Sequence, residues 1–253
     1  MHRDSGGAAR FLTRDIGGMP LWSLIIFAIV VGGGALALSS GASAAGPAPA
    51  FSAPASAPTP QIPQPKPLAV FLGDSYTQGT GGDGVRWPDL VGDERGWEVA
   101  NLALGGTGYI ATSGGDECGR AYCGTYLEAS AEIVGSPRYI VVAGGRNDLD
   151  AAPADVLAAA DTLFAQLRDR YPDAQIFAID PWFDDDAPPA ALGNLAVGIG
   201  EAAAKHGVAV LDTEQPLRGR KNLVSADGVN PNADGYRELA NQVQIALAAA
   251  LGA

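Results

Sequence analysis

Leu68-Ala69-Val70-Phe71-Leu72 leads directly into Gly73-Asp74-Ser75-Tyr76-Thr77, and this junction decides the fold. A short apolar run that ends at turn-forming residues is typical of a β-strand buried on both faces. The 253-residue chain has four more short strand-like runs, at 98–102, 139–143, 176–179 and 208–211. Helical patterns occupy 86–94, 124–134, 153–171, 188–206 and 232–251. This alternation predicts an α/β protein with a doubly wound sheet of about five parallel strands and helices on both faces.

Polar or glycine-rich clusters follow the strands of the predicted sheet. Gly105-Gly106-Thr107-Gly108 comes after the second strand, and Gly144-Gly145-Arg146-Asn147-Asp148 comes after the third. The loop after the fifth strand carries Asp227-Gly228-Val229-Asn230-Pro231-Asn232. Because ligands bind outside the carboxyl ends of the strands in such sheets, we expect these clusters to meet at one edge.

Ser75 lies where the first strand turns into a helix. A serine at that turn points its hydroxyl out of the sheet edge, beside the unpaired N–H groups of the helix N-terminus. This geometry suits a nucleophile whose product oxyanion needs donors, although it also suits a serine that only caps the helix. The unshielded N–H of Gly106 and the side-chain amide of Asn147 are donors of the required kind.

Taken together, the clusters resemble the sequence blocks of the SGNH hydrolases, the GDSL-type lipases and esterases. Gly73-Asp74-Ser75 resembles the first block and 101–106 the second, while 144–148 resembles the third. The stretch 227–232 resembles the fifth, which is normally Asp-x-x-His followed by Pro. The resemblance spans 68–253 and implies a flavodoxin-like fold that hydrolyses esters, thioesters or acetylated sugars through an acyl-serine, without a metal or other cofactor.

Carried over to this sequence, the family's mechanism assigns a role to each matching residue. Ser75 is the nucleophile, and its N–H forms the oxyanion hole with the Gly106 N–H and the Asn147 side chain. Asp227 is the carboxylate that orients the general base.

The general base itself is missing, because Asn230 stands at the family's histidine position. An amide oxygen has no useful basicity near neutral pH. His2 precedes an apolar N-terminal segment, and His206 falls at the opposite edge of the predicted sheet. Three accounts stay open: a weak or inactive homologue that still binds its ligand, a hydrolase in which Asp227 acts through water, and an active-site change in an otherwise working hydrolase.

Residues outside the blocks give weaker indications. Trp182, after the fourth strand, and Tyr109 are candidates for lining the substrate pocket, and packing beneath a loop is the alternative for Trp182. Cys118 and Cys123 lie close together in a polar stretch. A metal site would need further ligands, so a local disulfide formed outside the cytoplasm is the simpler interpretation.

The N-terminal region predicts export. Leu21–Leu38 is a near-continuous apolar run after Arg10 and Arg14, and Ala42-Ser43-Ala44 has the form that signal peptidase accepts. Residues 1–44 are therefore a cleaved signal peptide or a retained membrane anchor, and both place the domain at 68–253 outside the cytoplasm. Residues 45–67 hold eight prolines and predict a semi-rigid linker, or a disordered leader without a mechanical role.

The charge of the chain argues against nucleic acid as a partner. The formal net charge is −12. The segment 1–67 carries more basic than acidic residues, so the domain itself is still more acidic than the whole chain. A strongly acidic body repels phosphate backbones, which argues against nucleic-acid binding. We expect a monomer that takes a small-molecule, glycan or lipid ester.

Overall fold

The computed structural model describes residues 64–252 and two short strands near the N-terminus, β1 (Asp15–Ile16) and β2 (Met19–Pro20), which pair antiparallel. The chain divides into two units, 1–61 and 62–253, and the second carries the predicted domain. The apolar run at 21–38, the candidate cleavage site and most of the linker lie outside the described residues. Within the part of the chain that is described, no helix is both long and apolar enough to cross a membrane.

The second unit has a central sheet of five parallel strands, as predicted. The strands of this sheet are β3 (Leu68–Gly73), β4 (Glu98–Asn101), β7 (Tyr139–Ala143), β8 (Gln175–Ile179) and β9 (Ala209–Leu211). Between β4 and β7 the chain forms two further strands, β5 (Ser113–Gly115) and β6 (Arg120–Cys123), outside the central sheet. The order across the sheet is β4-β3-β7-β8-β9, and every neighbouring pair is parallel. The winding reverses at β3, so the carboxyl end of this strand is the place where open α/β sheets bind ligands.

Within residues 64–252, six α-helices accompany the sheet, and five of them match the predicted helical patterns to within a few residues. They are α1 (Ser75–Gln78), α2 (Trp87–Arg95), α3 (Tyr126–Ala131), α4 (Pro153–Arg170), α5 (Ala190–Lys205) and α6 (Ala233–Leu251). Helix α3 begins with a capping box between Thr125 and Glu128, and Asn232 caps α6. Pro153 opens α4 at a position where its missing N–H removes no helical hydrogen bond.

The strands bury side chains on both faces, and each face has its own core. On β3, Val70 and Leu72 pack against one core, while Ala69 and Phe71 pack against the other. Helices α3, α4 and α5 cover the first face, and α2 and α6 cover the second. This two-sided burial explains why the strands are continuously apolar.

A small antiparallel hairpin, β5–β6, was not predicted. Its strands are short and largely exposed, so they lack the apolar alternation by which a strand is recognised. The predicted disulfide is present: Cys118, in the turn of the hairpin, is bonded to Cys123, the last residue of β6.

Candidate active site

The turn after β3 holds Ser75 at the first position of α1. Asp74 caps this helix, and its Oδ1 accepts the Tyr76 N–H at 3.0 Å. The Ser75 N–H lies in the first turn, where no intrahelical acceptor exists, and the residue is half-buried. Gly73 permits the close approach of this turn, because a Cβ there would clash with Thr77 and the Ala143 carbonyl. The arrangement is the one expected of a nucleophile.

The second cluster, 105–108, forms a loop after β4 in which the N–H groups of Thr107 and Gly108 donate to the neighbouring carbonyls of Leu104 and Ala111. Gly106 has a φ of +71°, and a Cβ there would clash with the Glu117 carboxylate of the β5–β6 hairpin. Thr107 fixes the loop because its Oγ1 donates to the Leu104 carbonyl at 2.7 Å. Asn101 ties the loop to α1, since its Nδ2 donates to the Thr77 carbonyl at 2.7 Å.

Asn147 is tied to this loop by its side chain. Its Nδ2 donates to the Thr107 carbonyl at 2.8 Å. An amide nitrogen carries two hydrogens, so one of them remains for a ligand. Asn147 is exposed, which leaves it accessible to that ligand. The position supports its predicted role beside Gly106.

Asp148, the neighbour of Asn147, is a site residue that the sequence did not identify. Its buried carboxylate accepts the N–H groups of Tyr109, Ile110 and Ala111 at 2.8, 3.0 and 2.8 Å. These three charge-assisted hydrogen bonds fix the conformation of residues 109–111, which follow the Gly106 loop. The sequence shows its place directly after Asn147, but the N–H groups that donate to it are brought together by a loop conformation that the sequence does not show.

The 227–230 loop folds around the Asp227 carboxylate. Oδ1 accepts the N–H groups of Val229 and Asn230 at 2.8 Å each, and Oδ2 accepts the Asn230 Nδ2 at 2.8 Å. Burial raises the pKa of Asp227, but the hydrogen bonds from Asn230 and Val229 outweigh burial and lower it to about 2. Asp227 is therefore ionised and very weakly basic near neutral pH, which argues against the account in which it replaces the missing base.

The orientation of the Asn230 amide follows from this contact. An ionised carboxylate only accepts hydrogen bonds, so the NH₂ group must face Asp227. Oδ1 is buried and has no hydrogen-bond partner among the described residues. In a complete triad, one imidazole nitrogen donates its N–H to the carboxylate and the other takes the proton from serine. Asn230 Nδ2 replaces the first nitrogen as a donor to Asp227. Nothing in the amide replaces the second, basic nitrogen.

Two tyrosines hold the 227–230 loop and α6 against α1. Tyr76 Oη donates to the Val229 carbonyl at 2.6 Å. Tyr236 Oη, on α6, lies 2.7 Å from the Thr80 carbonyl and 3.3 Å from the Ser75 carbonyl. The structure therefore brings the first and fifth clusters together, although about 150 residues separate them.

Comparison with known proteins agrees with this geometry. The model of the GDSL-like lipase/acylhydrolase family matches residues 71–238. The chain belongs to this family. A GDSL lipase of Mycobacterium tuberculosis (strain ATCC 25618 / H37Rv) is 31% identical over 191 residues, covering 70% of this chain and 79% of the lipase.

Solved structures share the fold. A carbohydrate esterase family 2 enzyme of Corynascus thermopiles (Myceliophthora fergusii) matches with a TM-score of 0.58 at 24% identity, over 77% of this chain and 69% of that one. A putative lipolytic protein of the G-D-S-L family from Desulfitobacterium hafniense DCB-2 matches with a TM-score of 0.54 at 16% identity, over 71% and 98%. Both confirm the predicted SGNH hydrolase fold.

Neither aromatic candidate for the pocket of this GDSL-like protein lies on an open surface. Trp182 is 3% exposed, and its Nε1 donates to Thr213 Oγ1 at 2.8 Å. Tyr109 is 2% exposed and packs edge-on against Tyr126, with ring centroids 5.1 Å apart. This burial favours core packing, so neither residue enters the substrate proposal below.

The second histidine lies far from the nucleophile in the topology of the sheet. His206 ends α5, just before the amino end of β9, and its Nε2 lies 3.2 Å from Asp161 Oδ1. Ser75 lies at the carboxyl ends of the strands. His206 therefore cannot serve as the base, as the sequence indicated.

A buried carboxyl lies directly behind the nucleophile. Burial raises the pKa of Asp74 to about 6, against the lowering effects of the Tyr76 N–H and of Arg146.

Within residues 64–252 no three His, Cys, Asp or Glu side chains converge in a way that could hold a metal ion.

Proposed function

We propose that this protein is an exported GDSL-type serine ester hydrolase whose chemical step lacks its general base. It would bind acyl or acetyl esters of lipids or glycans and hydrolyse them far more slowly than a complete triad would. The observation that carries the proposal is the hydrogen bond from Asn230 to Asp227. Asp227 is placed to orient a residue at position 230, but an asparagine at that position cannot accept the serine proton.

The remaining residues support attack on an ester carbonyl. Ser75 would add to the carbonyl carbon, and the new oxyanion would accept hydrogen bonds from the Ser75 and Gly106 N–H groups and from Asn147 Nδ2. The Ser75 proton would leave to water or hydroxide. Losing one triad member costs about 10⁴ to 10⁶ in rate, while the oxyanion hole and binding retain part of the acceleration.

The substrate class rests on the relatives. The family description names lipases and acylhydrolases, the mycobacterial relative is called a GDSL lipase, and one structural neighbour is a carbohydrate esterase. Lipases and carbohydrate esterases act on oxygen esters. The proposal therefore covers lipid and glycan esters.

A non-catalytic module that binds acylated glycans or lipids is the second candidate. The observation that favours it is that neither group considered among residues 64–252 suits the role of base: Asp227 is ionised and weakly basic, and His206 lies at the other edge of the sheet. The two candidates differ in whether the protein hydrolyses an ester through Ser75.

Hydrolysis of a short-chain aryl acetate by residues 45–253 tests the proposal. We expect the unmodified protein to exceed Ser75→Ala slightly and Asn230→His to exceed the unmodified protein about a thousandfold or more. Asn194→His, on the exposed surface of α5, is the matched control for adding an imidazole and should have no effect. Equal rates for the unmodified protein and Asn230→His would contradict the proposal. A gain by Asn230→His with no difference between the unmodified protein and Ser75→Ala would favour the binding module.

Export is part of the same proposal. The Cys118–Cys123 disulfide supports an oxidising compartment, because such bonds are rare in the cytosol. Mass spectrometry of the exported protein should find an N-terminus at Ala45 if the signal is cleaved, or the full chain in the membrane fraction if it is an anchor. Full-length protein in the cytosol would contradict export.

A further inference from the structure

Three residues that the proposed reaction does not use each stand next in the chain to a site residue. Tyr76 follows the nucleophile, Arg146 precedes the oxyanion amide, and Val229 precedes the residue at the histidine position. They come from three separate loops. The structure joins them to one another.

The contacts run in one continuous chain. Arg146 Nη1 donates to Tyr76 Oη at 2.7 Å, and Tyr76 Oη donates to the Val229 carbonyl at 2.6 Å. Arg146 Nη2 lies 3.5 Å from Asp184 Oδ2. The guanidinium also lies over the rings of Tyr76 and Phe183, at 5.1 and 4.9 Å from their centroids. We name this set of five residues the cross-loop clamp.

Three of the clamp's side chains are shielded from water, so the polar contacts among them are strong, whereas Val229 is an exposed residue. The side chains of Arg146 and Asp184 are 14% and 13% exposed, and Tyr76 is 2% exposed. In such surroundings hydrogen bonds and ion pairs are screened little, and removing one partner leaves the other unsatisfied. Burial raises the pKa of Tyr76 despite the nearby Arg146, so the phenol keeps the proton that it donates to Val229.

The geometry points to the clamp as the device that positions residue 230 relative to Ser75 and Asn147, with Tyr76 and Arg146 as positioning residues. The inference rests on the proposed function, since it concerns the geometry of the same reaction. The phenol of Tyr76 spans the gap between the first and fifth clusters, and Arg146 connects both to the third. A shift of any one of these loops would change the distance between the nucleophile and the group at 230.

Tyr76→Phe removes the donor and acceptor of the clamp and keeps the ring. In the Asn230→His protein we expect kcat for the aryl acetate to fall about tenfold to a hundredfold, because small misplacements of catalytic groups have effects of that size, while KM changes less than about threefold. Tyr171→Phe is the matched control: that phenol donates to the Ile133 carbonyl at 3.4 Å and contacts no site residue. A similar kcat for both variants would show that Tyr76 has only a structural role.

A second measurement does not depend on activity. In ¹⁵N-labelled unmodified protein, Tyr76→Phe should displace the NMR signals of the Asn230 side-chain amide, and Tyr171→Phe should leave them in place. If Asn230→His gains no activity, the proposed function fails, and the clamp is then decided by this measurement. Unchanged Asn230 signals in folded Tyr76→Phe protein would overturn the inference.

Discussion

The loop of Gly106 and Asn147 and the 227–230 loop are both fixed by hydrogen bonds, but in the proposed function only the first supplies its catalytic groups. The loop of Gly106 is held by the bond from Thr107 Oγ1 to the Leu104 carbonyl, and Asn147 donates to the Thr107 carbonyl. The 227–230 loop is held as firmly, by three bonds to Asp227 and one from Tyr76. Its fold depends on an N–H at position 230 and not on a base. An asparagine supplies that N–H, so one substitution at position 230 can remove the general base and leave the fold of the loop unchanged.

The largest effect expected from this contrast concerns Asp227. In the Asn230→His protein, Asp227→Asn should lower kcat by about 10³ to 10⁴, because an amide no longer holds the imidazole in the productive tautomer. In the unmodified protein the same change should alter the residual rate by less than about threefold. Aryl acetate kinetics of the four proteins would check this. Equal losses in both backgrounds would mean that Asp227 acts on Ser75 without residue 230.

A smaller effect is expected on the oxyanion side. Asn147→Ala in the Asn230→His protein should reduce kcat about 10²- to 10³-fold, the usual result of removing one oxyanion donor. Asn194→Ala, on the surface of α5, is the control. A change in KM alone would show that Asn147 binds the substrate and does not stabilise the transition state.

The smallest effect concerns stability and Asp74. Because its pKa is raised from 3.8 to about 6, the folded protein holds a proton that the unfolded chain releases. The free energy of unfolding should therefore fall by up to about 3 kcal/mol as the pH rises from about 4 to above 6. Asp74→Asn keeps a residue that caps a helix equally well and removes the charge. Urea unfolding at pH 4.5 and pH 8 should show a weaker pH dependence for this variant, and an unchanged dependence would contradict the assignment.

Much of the fold could be predicted because it rests on local patterns. The strands around Val70 and Ile140 are continuously apolar, and helices with readable starts at Thr125, Pro153 and Asn232 lie between or after the strands. The candidates Ser75, Gly106 and Asn147 follow strands of a sheet that binds ligands at its carboxyl edge, and their roles stay predictions.

Contacts between distant loops could not be predicted in the same way. Asp148 accepts three N–H groups only because the chain after Gly106 curls around it, and Tyr76 reaches Val229 only once α6 has docked. Trp182 was considered for the pocket because it follows a strand, but its side chain turns into the core. Asp184 pairs with Arg146 across two loops, and no local pattern indicates that contact.

The most direct test of the separation between scaffold and chemistry is the rate at which a fluorophosphonate labels Ser75, followed by intact mass from pH 5 to pH 9. For the unmodified protein we predict slow labelling that rises about tenfold per pH unit across the range, because hydroxide must take the serine proton. For Asn230→His we predict much faster labelling that levels off once the imidazole is neutral, above about pH 7. Fast labelling of the unmodified protein with the same plateau would contradict the account, because it would require a base that is already present.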